Sequence, residues 1–217
     1  MAALVVHLSL INKENNMIKL DYFGQSNISY ELKGSKCLAV VFGAGSSCAT
    51  TDGWNGGIAA TFYPTINVFN TTDVHIGSGG DPGAANAGNS RFLNTIATAG
   101  GIAARGSVLA SSQGFISVID NGQGAMGNWL SPKDYDRSNL KSDLENYITP
   151  LWPELTTSEA WNSLFAALSK QSLSQATPNA LVEYTIDGSV QPGAYGVNGT
   201  TIGACGAVFL LTEYENA

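Results

Sequence analysis

Short apolar, β-branched runs punctuated by turn residues fill the first third of the chain and constrain its fold more than any other feature. Residues 17–23, 28–33, 37–42, 58–62, 65–69 and 73–76 each read as a strand, with Gly, Asn, Ser or Pro between them. Their β-branched content suits a pleated, half-buried surface. The pattern returns later: strands are expected at 107–110 and 115–119. Val182, Tyr184 and Ile186 then alternate with Glu183, Thr185 and Asp187 before an Asp187-Gly188 turn, and Asn198-Gly199 offers a tight hairpin turn. The run 205–211 is almost continuously apolar and predicts an inner strand covered on both faces.

One stretch breaks the pattern. Ser131-Pro132 is an N-cap and first-turn pair, Asp134 lies near the positive helix end, and Leu140, Leu144, Tyr147 and Ile148 follow at helical spacing until Pro150. Thr156 and Glu159 form a capping-box pattern, and Trp161, Leu164, Phe165 and Leu168 make one apolar stripe. A helical hairpin is therefore expected at about 131–171, inserted in a single β-rich domain, 17–217. Ahead of it, 43–57 reads as a long loop around Trp54, and 77–127, about a quarter of the chain, holds about half of its 25 glycines. Within that stretch 92–104 has some helical character, but Gly100 and Gly101 weaken a helix by about 1 kcal/mol each, so a loop or short helix is expected there.

At the N-terminus Leu4, Val6, Leu8 and Leu10 alternate with Val5, His7, Ser9 and Ile11, and a polar hinge, 12–16, follows. A strand with one apolar face is costly to leave in water. Residues 1–16 are thus expected to act as an arm that adds to a sheet edge, in an assembly the edge of a neighbouring subunit, be it a second copy or another structural protein. The alternative is that Met17 is the true first residue.

Charge narrows the partners. Only 12% of residues are charged, 10 basic against 17 acidic, for a formal net charge of -7, and no cluster of Lys or Arg interrupts the balance. Nucleic acid and anionic membrane surfaces are disfavoured, no run is long enough to cross a bilayer, and residues 1–11 lack the basic region and cleavage site of a signal peptide. Cys37, Cys48 and Cys205 have neither metal-ligand nor redox-motif spacing; buried thiols are expected, with a Cys37–Cys48 bridge as the alternative.

Candidate chemistry is sparse. The Gly43-Ala44-Gly45-Ser46 stretch after a strand invites a phosphate, but it lacks the third glycine, the lysine and the following helix that such loops use. Ser46, Ser78 and Ser107 lie beside glycines without a nucleophile elbow. Asp73 and His75 face the same way on a strand but form only two ligands, with Asp81 the only nearby third. Asp120, Glu183 and Asp187 have no arrangement that marks a glycosidase pair, and Asp136, Asp143 and Glu145 read as solvated helix faces. Trp54 and Trp129, in Gly/Asn-rich loops, are candidate contact or glycan-stacking residues. No cofactor and no metal is expected.

Many short strands, glycine-rich loops, few charges and an apolar N-terminal segment together give a character similar to that of structural proteins of tailed-phage particles, such as capsid decoration or tail proteins. That resemblance implies a jelly-roll or tail-tube-like antiparallel sandwich or barrel, a non-enzymatic role in a virion assembled in the host cytoplasm, and contact with other copies or subunits through Leu4, Val6, Leu8 and Leu10. The alternative is an extracellular glycan-binding fibre or adhesin domain using Trp54 and Trp129. A hydrolase relying on His75 comes third.

Overall fold

The computed structural model describes residues 8–11, 16–25, 28–47, 52–66, 72–81, 87–93, 95–97, 99–100, 108–109, 116–119, 137–176, 183–197 and 201–215. The protein is mainly β, with antiparallel sheets and few helices. Its strands are β1 (Leu8–Ile11), β2 (Asn16–Phe23), β3 (Ile28–Tyr30), β4 (Lys36–Phe42), β5 (Ile58–Tyr63), β6 (Thr72–His75), β7 (Ser90–Phe92), β8 (Thr95–Ala97), β9 (Val108–Leu109), β10 (Ile116–Ile119), β11 (Ser172–Gln175), β12 (Val190–Gly196) and β13 (Ala207–Glu215). The helices are α1 (Leu140–Ile148), α2 (Pro153–Thr156) and α3 (Glu159–Leu168), preceded by a 3-10 turn, Arg137–Asn139.

Six strands form the main sheet in the order β1-β2-β13-β4-β5-β10, every pair antiparallel. A second antiparallel sheet runs β3-β6-β7-β8-β9. Period-two alternation divides the main sheet into two apolar faces. Ile18, Leu20, Tyr22, Leu38, Val40, Phe42, Ile58, Phe62, Phe209 and Leu211 pack under the helices with Leu144, Trp161, Leu164 and Leu168. Phe23, Ala39, Val41, Ala59, Val208 and Leu210 pack on the other face against Val74, Phe92 and Ala97 of the second sheet. The order of layers is helices, main sheet, second sheet. This double coverage is why β13 reads as a nearly unbroken apolar run, since it sits between β2 and β4 at the centre.

The helical stretch packs through the stripe its spacing predicts: Leu140, Leu144, Ile148, Trp161, Leu164 and Leu168 are all buried. Its caps differ from expectation. The N-cap of α3 is Ser158, whose hydroxyl accepts from Trp161 N–H at 3.1 Å, while Thr156 ends α2 and donates to the Pro153 carbonyl. Ser131 and Asp134 lie outside the described residues, and described helix begins at Arg137. Glu145 is no free solvated acid, since it accepts from Trp161 Nε1 at 3.1 Å and pairs with Lys141.

Other expectations fail for identifiable reasons. β7 and β8 pair antiparallel where a loop or short helix was expected from 92 onward, and Leu93 after β7 stands at φ 51°, a conformation that local sequence does not advertise. The alternating stretch around Tyr184 is not a strand: Glu183–Thr185 is irregular and closes a turn in which Gly188 N–H donates to the Thr185 carbonyl. Tyr184 instead buries its ring against Tyr22 and Phe209. Thr65 and Ile66 lie outside any strand, the rest of the expected 65–69 run is outside the described residues, and β12 pairs in parallel with β11, while the expected Asn198-Gly199 hairpin turn lies outside the described residues.

Candidate functional site

The feature that sequence reading treated as loop is a packed lattice of extended backbone. β4, β5 and β13 meet at one end of the main sheet, where Phe42 stands opposite both Ile58 and Ala207. Beyond that line the chain continues as 43–47, 52–57 and 201–206, nearly all of it buried. Segments 76–81, 87–89 and 99–100, which adjoin β6, β7 and β8 of the second sheet, reach the same place, and so does β12. Two sheets that elsewhere stand apart across a layer of side chains here converge to backbone contact.

The hydrogen bonds of the central segment define the geometry. Gly43 N–H donates to Gly57 at 2.9 Å, Ala44 N–H to Gly88 at 3.2 Å, Gly45 N–H to Ala204 at 2.9 Å, and Ser46 N–H to Trp54 at 2.9 Å, back on the segment that Gly43 met. Its carbonyls accept from three others: Ala44 from Gly100, Gly45 from Gly80, and Ser46 from Gly196, each at 2.9 Å. A β-strand bonds to two neighbours because its donors alternate between opposite edges. A donor direction that returns after three residues, with six neighbouring segments bonded around one, is the arrangement of a threefold extended helix of polyproline-II type.

Such close packing leaves no room for side chains. A Cβ on Gly45 would collide with the Ala194 carbonyl, on Gly53 with that of Ser46, on Gly203 with that of Gly45, and on Gly77 with that of Gly88. Glycines recur every third residue at Gly53/Gly56, Gly77/Gly80, Gly193/Gly196 and Gly203/Gly206, once per turn of a threefold helix. Gly193 adds a positive φ of 67°. The few polar side chains inside serve the backbone: Asn55 Oδ1 accepts from Tyr195 N–H, Ser46 Oγ from Trp54 N–H, Thr201 Oγ1 from Val197 N–H, and Ser90 Oγ from Gly77 N–H.

This geometry also explains why the Gly43-Ala44-Gly45-Ser46 stretch makes no phosphate cradle. All four of its amides are committed to carbonyls of neighbouring segments.

Candidate residues fall in separate places. Trp54 is half-buried on the lattice, its N–H and carbonyl both bonded to Ser46. Asp81 and Ser78 are exposed on the lattice, and Asp52 is half-buried beside Trp54. His75 lies on β6 opposite Arg91 of the second sheet, and Asp73, on the same side, accepts from Ser29 Oγ at 3.0 Å. Glu183 accepts from Gln25 and Asp187 is exposed on a turn, while Asp120, considered with them, lies outside the described residues. Among the described residues no group of three His, Cys, Asp or Glu is placed to hold a metal ion, and no described helix is long and apolar enough to cross a membrane. His7, Ser107, Asp120, Trp129, Asp136 and Cys48 lie outside the described residues. Cys37 and Cys205 are free, buried thiols; burial pushes Cys37 up to about 12 and raises Cys205 as well.

Of the N-terminal residues, Leu4 and Val6 lie outside the described residues, while Leu8 and Leu10 are in β1, opposite Leu20 and Ile18 of the same chain. The segment thus finds a sheet edge in its own fold, and Asn16 of the expected hinge already belongs to β2.

The lattice is rooted in the two sheets, and its described residues stop at Ser47, Asp81 and Val197 and resume at Asp52, Ala87 and Thr201. The sequence signal that would have found it is the every-third-residue glycine spacing in four separate stretches. No family model, curated protein or solved structure matches the chain.

Proposed function

We propose that the protein is a non-enzymatic structural subunit of a larger assembly, of the kind found in tailed-phage particles as a capsid decoration or tail component, and that the glycine lattice is its outward end. The lattice carries this reading. A scaffold locked by backbone hydrogen bonds between segments as distant in sequence as Gly45 and Ala204, with few side chains to repack, makes a rigid end to the fold, and recognition surfaces are carried on rigid frameworks. Such an end suits the display of a fixed surface to a partner. The facing sheets suit the sandwich form of the expected fold. Contacts to neighbouring copies or other subunits run along β1, the outer strand of the main sheet among the described residues, by strand addition at its backbone edge. The location implied is the virion, assembled in the host cytoplasm.

A second reading, an extracellular glycan-binding fibre or adhesin domain, is favoured by one observation: Trp54 is half-exposed on the lattice, where its backbone N–H and carbonyl are both bonded to Ser46.

Sedimentation of the full chain, combined with accessibility of engineered cysteines in a Cys48→Ser background, tests the proposal. An assembly is expected in which Asp81→Cys, on the lattice, reacts with a maleimide while Ser9→Cys, on β1, is protected. A chain that stays single at every concentration, or the reverse protection pattern, overturns it.

A further inference from the structure

We infer that Arg137 is a latch that holds the glycine lattice, as a unit, onto the rest of the fold. Arg137 lies in the 3-10 turn that opens the helical layer and is 5% exposed. Its Nη1 donates to the Pro192 carbonyl at 2.8 Å and to Gln191 Oε1 at 3.3 Å, and its Nη2 to the Gly56 carbonyl at 3.1 Å. Gly56 and Pro192 belong to neighbouring lattice segments, joined to each other by the bond from Gly56 N–H to the Gly193 carbonyl. The guanidinium also lies 5.4 Å from the ring centroid of Phe42, the residue from which the central segment leaves β4. One planar cation therefore grips two segments and stands on the root of a third.

The chemistry suits that role. A guanidinium stays charged when buried, and its rigid fork matches two convergent carbonyls that a single-point ammonium cannot bridge. Bonds to a charged donor are stronger than the neutral backbone bonds inside the lattice. Of the groups that Arg137 meets only Phe42 belongs to an apolar core, and of the described lattice residues only Ile76 and Cys205 do. With so few side chains keyed into those cores, the lattice opens separately once the latch is removed. This holds whatever that end of the molecule meets, and so stands apart from the proposed function.

Amide hydrogen exchange on the full chain tests it, comparing wild type with Arg137→Met and Arg137→Lys. In Arg137→Met the amides of Gly45, Gly56 and Gly193 should exchange about ten- to hundredfold faster, the worth of charged hydrogen bonds, while those of Leu38 and Leu210 change less than about threefold. Arg137→Lys, which keeps the charge but loses the fork, should give the same pattern in weaker form and decides the matter if the Met variant does not fold. Guanidinium ion at sub-denaturing concentration should slow lattice exchange in Arg137→Met relative to equal sodium chloride. Equal acceleration of lattice and sheet amides would reduce Arg137 to a general contributor to stability and overturn the latch, as would unchanged lattice amides.

Discussion

A Cβ placed on Gly56 would overlap the carbonyl oxygen of Gly43, so these two residues can stand where they do only because position 56 has no side chain. The obstacle is backbone, which cannot rotate out of the way. Gly80 occupies the same lattice with more room: its nearest obstacles are at 3.2 Å or more. Gly56→Ala should therefore cost about 3 kcal/mol, and Gly80→Ala about 1 kcal/mol or less, in urea unfolding. Equal losses at the two positions would mean that crowding does not govern the lattice.

Leu164 is completely buried between α3 and the main sheet, in contact with the cluster that includes Trp161 and Phe209. Leu164→Ala should cost about 2 to 5 kcal/mol, the range for a filled core site. A loss under about 1 kcal/mol would show that the helical layer is only loosely seated.

The residues behind these two predictions differ in how far the sequence revealed them. Leu164 belongs to a stripe with helical period, and β13 to a run with no polar interruption; each pattern follows directly from how the element is covered, so both were legible. The lattice was not, because a glycine-rich stretch with few side chains carries no hydrophobic period, and its order depends on backbone bonds to segments as distant in sequence as Gly45 and Ala204. Only the three-residue spacing of glycines hinted at it. Tyr184 misled for the opposite reason: its alternation with neighbours looked like a strand, whereas one buried aromatic ring explains its burial. Trp54 was legible as a loop residue but not as a rigid one, since what fixes it is Ser46.

Asp21 is buried at 1% exposure on the sheet face toward β3, and the Tyr30 hydroxyl donates to its Oδ2 at 2.5 Å. This bond ties an edge strand of the second sheet to the main sheet. Tyr30→Phe should cost about 1.5 to 3 kcal/mol, as for a hydrogen bond to a charged group. A double-mutant cycle with Asp21→Asn should return most of that as coupling; additive losses would show that the two side chains act independently.

Alkaline pH should destabilise the fold in a defined window. Burial pushes the Cys37 thiol from 9.0 up to about 12 and the Tyr63 hydroxyl from 10.0 up to about 12, and it raises Tyr184 in the same direction. In each case the folded chain keeps a proton that the unfolded chain has already released. Stability is therefore complete below pH 9 and falls as pH rises toward 12. Replacing both buried thiols, Cys37→Ala with Cys205→Ala, should shift the onset of that fall from about pH 9 to about pH 10, where the tyrosines take over. An onset that does not move would remove the two thiols from the account.

The N-terminal strand decides between a local and an intermolecular role. β1 covers Met17–Leu20 of β2, and β2 remains paired along its other side with β13, so neither core depends on β1 alone. Deleting residues 1–16 should therefore leave a folded domain whose β2 edge is bare. With β1 gone, the edge proposed to receive neighbouring subunits is gone too, and the newly bared β2 offers a different set of side chains in its place. The truncated chain is expected to unfold cooperatively, at somewhat lower urea concentration, and its sedimenting mass should fall toward that of one chain. A truncated chain that assembles as well as the full-length protein would show that β1 serves only to cover its own sheet.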